Sequence, residues 1–346
     1  MKTFLVSRTD AIGDVVLTLP VCGQLKKMFP GCRVVLLGRT YTQAIAAACP
    51  WIDDFINVDE LRQLTPAAQV VELQEQHADA FLHIFPDKHL AALARQARIP
   101  MRIGTRNRWF HWLTCTHRVA LSRRHSPLHE AQLNLALLRP LGYSGIMPLA
   151  DVGELVKLHP TEALAQEWQR LLALRQSGQL NVILHPRSRG SAREWGLSNF
   201  GTLARMLQQA GHRVFITGTS AEGEELRPWL TEHAPFLAGD MTGKLTLPQL
   251  LAFIAAADGL VANSTGPLHM AAALGRHALG LYPSIRPMHP GRWAPVGPQA
   301  EFLVFNQPDC QQCRKEPAAC SCLAAINPVE VLNRINVWES LPPAGF

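Results

Sequence analysis

Carboxylates and arginines set directly behind apolar runs are the residues of this chain whose types and spacing could do chemistry. RTDAIGDVVLTLP, residues 8–20, follows the strand-like TFLVSR and carries Asp10 and Asp14. A carboxylate in such a turn can take the proton from a hydroxyl as its oxygen attacks an electrophile. It can equally be a helix-start acid, stabilising by ~0.3–1 kcal/mol through the helix dipole. On its residues alone Asp14 reads as the latter, and Asp10 as a turn or capping residue.

HPRSRGSAREW, residues 185–195, carries Arg187, Ser188, Arg189 and Arg193 with Glu194 as the one acid. Guanidinium forks donate in pairs and suit diphosphates, although a solvated loop has the same composition. ANSTGPLHMAAALG, residues 262–275, runs from a strand end through Ser264, Thr265 and Gly266 into an apolar helix bearing His269. Gly266 lets a ligand approach the backbone, and Pro267 suits the first helical position. Free N–H groups at the positive end of a helix form a diphosphate cradle. An ordinary helix capped by Ser264 or Thr265 is the competing reading.

Residues 95–125 hold eight arginines and no Asp or Glu, with Trp109, Phe110 and Trp112 among them. Basic residues interleaved with aromatics fit an anionic lipid surface, a phosphorylated sugar or a nucleic acid. Cys310, Cys313, Cys320 and Cys322 place four thiols within thirteen residues. They could hold zinc, but the closing C-x-C is tight, so buried or merely neighbouring thiols are the preferred expectation.

Several classes are excluded by what is missing. No GxGxxG follows a strand, which removes the fingerprint of a dinucleotide-binding dehydrogenase. GDMTGKL, residues 239–245, is one residue short of a phosphate-binding P-loop and has Leu245 where a hydroxyl should meet magnesium. No Asp-x-Asp occurs, so a carboxylate-held metal on a sugar nucleotide is not expected, nor is any cofactor.

These motifs need a scaffold, and the chain alternates short apolar runs with helical patterns. TFLVSR, CRVVLLG, DFINVD and AFLHIFP read as strands, with helices over GDVVLTLPVCGQLKKMF, LRQLTPAAQVVELQEQ and KHLAALARQAR between them. The pattern pauses at 144–160 and restarts with LNVILHP, HRVFITGT, GLVAN and HALGLYP. Strand–helix alternation argues for parallel sheets covered on both faces. The expectation is α/β with two Rossmann-like doubly wound domains facing each other across a cleft, where ligands bind. No apolar run reaches the ~18 residues a spanning helix needs. The N-terminus has only FLV before Arg8, so a cytoplasmic protein is expected. A net charge of +6 favours an anionic partner.

RTDAIGDVVLTLP resembles the opening of the ADP-heptose:lipopolysaccharide heptosyltransferases, inverting enzymes of glycosyltransferase family nine. NSTGPLHMAAALG resembles their donor-binding signature, and GSAREW the lysine-containing loop ahead of it. SIRPMHPGRWAPVG, the cysteine-rich segment and INPVEVL are similar to the family's C-terminal portion.

The resemblance implies a GT-B fold. Residues 1–155 would bind the acceptor and 156–327 the nucleotide sugar, while 328–346 would cross back onto the first domain. It implies a metal-independent, inverting transfer of heptose, or a related sugar, from a nucleoside diphosphate to a lipopolysaccharide-core glycolipid. Asp14 would be the catalytic base, kept ionised by the helix dipole. Arg187, Ser188, Arg193, Met241, Ser264, Thr265, Gly266 and His269 would line the donor. Arg102, Arg106, Arg108, Arg123 and Arg124 would meet the acceptor's anionic groups, with peripheral contact to an anionic membrane surface.

Two positions depart from the family pattern: Arg193 stands where lysine is usual, and Ser264 where many relatives have Asp. A nucleotide-sugar epimerase of the same fold and a non-catalytic glycolipid-binding member are the alternatives. Nucleic-acid binding is not expected, since no recognised module is present.

Overall fold

In this computed structural model, residues 1–123, 126–286, 288–305 and 320–342 are described. The chain divides into two compact units, Met1–Leu158 and His159–Phe346. Each is built on a six-stranded, all-parallel sheet.

In the first unit the strands are β1 (Thr3–Ser7), β2 (Arg33–Gly38), β3 (Asp54–Asn57), β4 (Ala80–His83), β5 (Met101–Thr105) and β6 (His117–Val119), in the order β3-β2-β1-β4-β5-β6. In the second they are β7 (Asn181–His185), β8 (Arg213–Ile216), β9 (Gly239–Asp240), β10 (Gly259–Asn263), β11 (His277–Tyr282) and β12 (Ala300–Val304), ordered β12-β11-β10-β7-β8-β9. Both orders are the same doubly wound topology. The first strand of each unit pairs with its second and its fourth, so the order in which successive strands are added reverses beside β1 and beside β7. At such a switch point the loops beyond the strand ends part and leave a crevice.

The central strands are short, apolar and wholly buried: TFLVS in β1, NVILH in β7 and GLVAN in β10. A strand covered by helices on both faces reads as a continuous apolar run, which is why these were legible. The expected helix over residues 13–29 is instead two, Ile12–Val16 and Leu19–Met28, broken at Thr18. The Thr18 hydroxyl donates to the Asp14 carbonyl at 2.9 Å, and Pro20 cannot continue the backbone ladder.

The expected link at 144–160 contains the helix Leu149–Gly153. It also buries Val152, Leu155, Val156 and Leu158, and through Leu158 it belongs to the first unit.

The helix Pro328–Ile335, expected to cross back to the first domain, is anchored in the second unit. It packs on Leu197–Gln209, and Val331, Ile335 and Trp338 join the core around Leu203 and Leu207. Trp195 Nε1 donates to the Ile326 carbonyl at 2.9 Å, and Asn199 donates to that of Ala324 at 2.9 Å. Burial of this amphipathic face, with two hydrogen bonds into the segment before it, holds the C-terminal stretch here.

Candidate active site

In the first unit, the turn after β1 gathers charge around one guanidinium. Arg8 is 2% exposed. Its Nε donates to Asp10 at 2.6 Å, Nη2 donates to Asp14, and Nη1 reaches Glu130 at 3.3 Å. Arg123 completes the group, donating to Glu130 at 2.8 Å, to Asn134 at 3.0 Å and to the Ile84 carbonyl at 3.0 Å. Asn134 in turn donates to the Leu17 carbonyl at 3.0 Å. The helix Glu130–Leu135 thereby clamps the turn that carries Asp14.

Asp14 stands at the third position of Ile12–Val16, a helix of only five residues. The expectation that a helix dipole lowers its pKa does not hold. Burial raises it, Arg8 opposes the rise, and the negative charges of Asp10 and Glu130 add to it, leaving Asp14 at about 6. So short a helix has little dipole to set against this desolvation. Asp10 is not a cap; the helix N-cap is Ala11, and Asp10 is occupied by Arg8.

The five arginines expected to meet the acceptor are not equivalent. Arg102 spends its guanidinium internally, on the Thr114 carbonyl at 2.6 Å and on that of Ile99. Arg123 is locked into the Glu130 network. Arg106 and Arg108 are exposed. Arg124 lies outside the described residues.

In the second unit, two loops flank the switch point beside β7. The loop over 186–195 is organised by its one acid. Glu194 accepts from the Ser188 N–H at 2.8 Å, the Ser188 hydroxyl at 3.0 Å and Arg187 Nη1 at 3.0 Å. Arg187 also lies 3.5 Å from Glu225, so Arg187 and Ser188 shape the loop more than they offer themselves to a ligand. Arg189 and Gly190 both have positive φ, +49° and +78°. The turn is therefore tight, and it is strained at the non-glycine position.

Asn263, at the end of β10, joins the two loops: it accepts from the Trp195 N–H at 2.9 Å and donates to the Pro186 carbonyl at 3.1 Å. Arg193, half-buried, precedes this anchored tryptophan.

Beyond Asn263, Thr265 is the N-cap of the helix Gly266–Ala273, but its side chain makes no capping bond. Thr265 is 6% exposed, and its Oγ1 has no hydrogen-bond partner among the described residues. Pro267 is the second helical residue, not the first as expected. The N-terminus thus keeps donors that its N-cap side chain does not satisfy, beside a buried hydroxyl, which is the arrangement an anion fills.

Ser264 neighbours the Tyr282 hydroxyl, which donates to the Trp293 carbonyl at 2.5 Å. His269 is buried in the same helix. Met241 follows β9, 3% exposed, with its methyl turned against Gly239.

The family pattern of glycosyltransferase family 9 (heptosyltransferase) matches residues 69–324, more than half of the chain. The chain belongs to that family. This family 9 glycosyltransferase is 23% identical to the lipooligosaccharide heptosyltransferase 2 of Haemophilus influenzae, over 94% of this chain and 96% of that one. It is 26% identical to a protein of the same organism named only as a candidate glycosyltransferase, over 98% and 99% of the two chains. Among solved structures, the Escherichia coli ADP-heptose lps heptosyltransferase II superposes with a TM-score of 0.73 at 20% identity, over 97% of this chain and 98% of that one. The Veillonella parvula family 9 glycosyltransferase superposes with a TM-score of 0.78 at 18% identity, over 96% of each chain. Both share the GT-B architecture expected from the sequence.

Sequence reasoning on this glycosyltransferase missed the residues that organise the sites, namely Arg8, Glu130 and Asn134 in the first unit and Glu194 and Asn263 in the second. An arginine directly after a buried strand was the available signal for Arg8. Glu130 and Asn134 lie more than a hundred residues away and gave none.

Among the described residues no group of three or more His, Cys, Asp or Glu is placed to hold a metal ion. Cys320 and Cys322 are buried with sulfurs 3.6 Å apart, and Cys310 and Cys313 lie outside the described residues. Among the described residues no helix is long and apolar enough to cross a membrane.

Proposed function

We propose that this protein is an inverting heptosyltransferase that moves heptose, or a related sugar, from ADP-heptose to a lipopolysaccharide-core glycolipid. The observation that carries the reading is Asp14, a partly buried carboxylate held by Arg8, with a pKa of about 6. A base of that strength is ionised at neutral pH and still basic enough to accept a proton in the transition state.

The acceptor hydroxyl attacks the anomeric carbon and its proton passes to Asp14, while the bond from that carbon to the diphosphate oxygen breaks on the opposite face. Charge then develops on the departing ADP. Arg193, Thr265 and the first-turn N–H groups of Gly266–Ala273 are the donors suited to receive it. Arg193 in place of lysine keeps the charge and adds a second donor direction. With no Asp-x-Asp in the sequence to carry a metal, the transfer is proposed as metal-independent. Met241 would border the nucleotide base, and Ser264 and His269 the donor sugar.

On the acceptor side, exposed Arg106 and Arg108 are free to meet phosphate or acidic sugars. Arg102 and Arg123 would act by holding the surrounding backbone. An amphiphilic acceptor places the work at a membrane surface, on the cytoplasmic side where nucleotide sugars are made. The family match gives no support to the epimerase alternative, and a partly buried carboxylate with a pKa of about 6 argues against a purely binding role.

The test is transfer from ADP-heptose to a core-deficient lipopolysaccharide, with wild type against Asp14→Asn. Transfer by the wild type alone supports donor, acceptor class and base together. Transfer by neither, with ADP still bound, would move the search to other nucleotide sugars.

A further inference from the structure

The short helix Trp109–Thr114 turns its largest apolar side chains outward. Trp109 is 65% exposed, Trp112 54% and Leu113 64%, whereas His111 and Thr114 of the same helix are buried. Single exposed hydrophobics are ordinary, but three within five residues form a patch that calls for a partner.

The patch is rimmed by cations. Lys88 lies over the Trp109 ring at 5.0 Å and Arg118 over the Trp112 ring at 4.6 Å. Arg95 donates to the Leu113 carbonyl at 3.0 Å. No Asp or Glu occurs from 95 to 125, and Asp87, the acid adjoining Lys88, is engaged by Arg62 at 2.5 Å.

The occupant must therefore be anionic at its rim and apolar beneath. A folded protein partner would ask for about 800 Å² from this side, well beyond what three side chains on a six-residue helix supply. Tryptophans beside lysine and arginine are the composition of a membrane–water boundary, where the ring sits at headgroup level and the charge meets phosphate. The Trp112 indole already donates to the Arg106 carbonyl at 3.0 Å. Its apolar face can thus enter the lipid without stranding the N–H.

We propose that Trp109, Trp112 and Leu113 are a membrane-surface anchor, seated in the interfacial layer of a bilayer containing anionic phospholipid. Lys88, Arg95 and Arg118 hold the headgroups. The anchor deepens the membrane-surface part of the proposed function and does not depend on which sugar is transferred.

The test is sedimentation with vesicles of phosphatidylethanolamine and phosphatidylglycerol, free of any lipopolysaccharide, against vesicles of phosphatidylcholine alone. The wild type is expected to bind the anionic vesicles and to release with added salt. Trp109→Ser with Leu113→Ser, and separately Lys88→Gln with Arg118→Gln, should each weaken binding about tenfold or more. Brominated acyl chains should quench wild-type tryptophan emission more than that of a Trp109→Phe, Trp112→Phe variant.

Transfer to a lipid-free core oligosaccharide should be unchanged in Trp109→Ser, Leu113→Ser. If no sugar is transferred at all, the proposed function fails while vesicle binding still judges the anchor. Equal vesicle binding by wild type and variants, binding only when glycolipid acceptor is present, or no binding would overturn the anchor.

Discussion

Arg8 and Asp14 form an ion pair at the carboxyl end of β1, and the same guanidinium also holds Asp10 and Glu130. Three carboxylates thus share Arg8 and Arg123 in a largely buried place. Burial and the surplus negative charge explain why Asp14 titrates at about 6 despite a direct cation partner. The arrangement sets the base strength near neutral pH, which a fully paired carboxylate would not reach.

A pH dependence with a definite sign follows. Below about 6 the Asp14 carboxyl holds its proton and cannot take one from the acceptor. The kcat/KM profile should therefore fall on the acid side through a limb near that value. Asp14→Asn should keep ADP binding and lose ~10²–10⁴-fold in turnover at neutral pH. An acid limb near 4, or near-normal turnover in Asp14→Asn, would remove Asp14 from the role.

The neighbours should move that limb in opposite directions. Asp10 raises the Asp14 pKa and Arg8 lowers it. Asp10→Asn should shift the limb to lower pH, while Arg8→Gln should shift it upward. Arg8→Gln also strands buried carboxylates and should cost about 3–5 kcal/mol of stability in urea unfolding. If Asp10→Asn left the limb in place, the local field would not be what tunes the base.

How far the sequence reached depends on the range of the interactions involved. The buried strands were visible because a parallel strand between two helix layers has a continuous apolar run, such as VVLL in β2 and VIL in β7. Strands β5 and β6 were hidden in the basic stretch. Arg102 sits inside β5, and its charge is absorbed by carbonyls of Ile99 and Thr114 that only the fold brings near. β9, two residues long, has no periodicity to detect. Thr265 stood out as a candidate because it sits in a local strand–turn–helix pattern, whereas Asp14, read on its residues alone as a helix-start acid, became the candidate base only through the family resemblance. The dipole argument for Asp14 failed because the helix stops at Val16, where a longer one had been expected. Burial, the nearby Arg8 and Asp10, and the distant Glu130 set its proton affinity.

On the donor side, the two loop arginines should separate. Arg187 is held by Glu194 and Glu225, and Arg193 is the one proposed to face the diphosphate. Arg193→Ala should weaken ADP binding about tenfold or more by calorimetry, with a smaller effect on adenosine. Arg187→Ala should leave Glu194 still bonded to Ser188 and reduce ADP affinity less. The reverse ranking would place Arg187, not Arg193, at the phosphates.

His83 gives a prediction about stability. It closes β4 with 0% exposure, stacked on Phe81 with ring centroids 4.3 Å apart and with the His111 ring 5.5 Å away. Neither ring nitrogen has a hydrogen-bond partner among the described residues. Burial, followed by the charges of His111 and Arg102, holds the imidazole neutral well below its usual range. In the unfolded chain the same group titrates at about 6.5. Below that pH the unfolded state binds a proton that the folded state refuses, so stability falls as the solution is acidified. His83→Leu, of similar volume and with no polar atoms, should raise stability by about 1–3 kcal/mol at neutral pH. It should also lessen the loss between about pH 7 and pH 5, with His111, His185, His277 and His289 left as the histidines that still resist protonation there. Urea unfolding at the two pH values measures both effects. A variant less stable than wild type at neutral pH would show that the His83 nitrogens are satisfied in solution, by buried water.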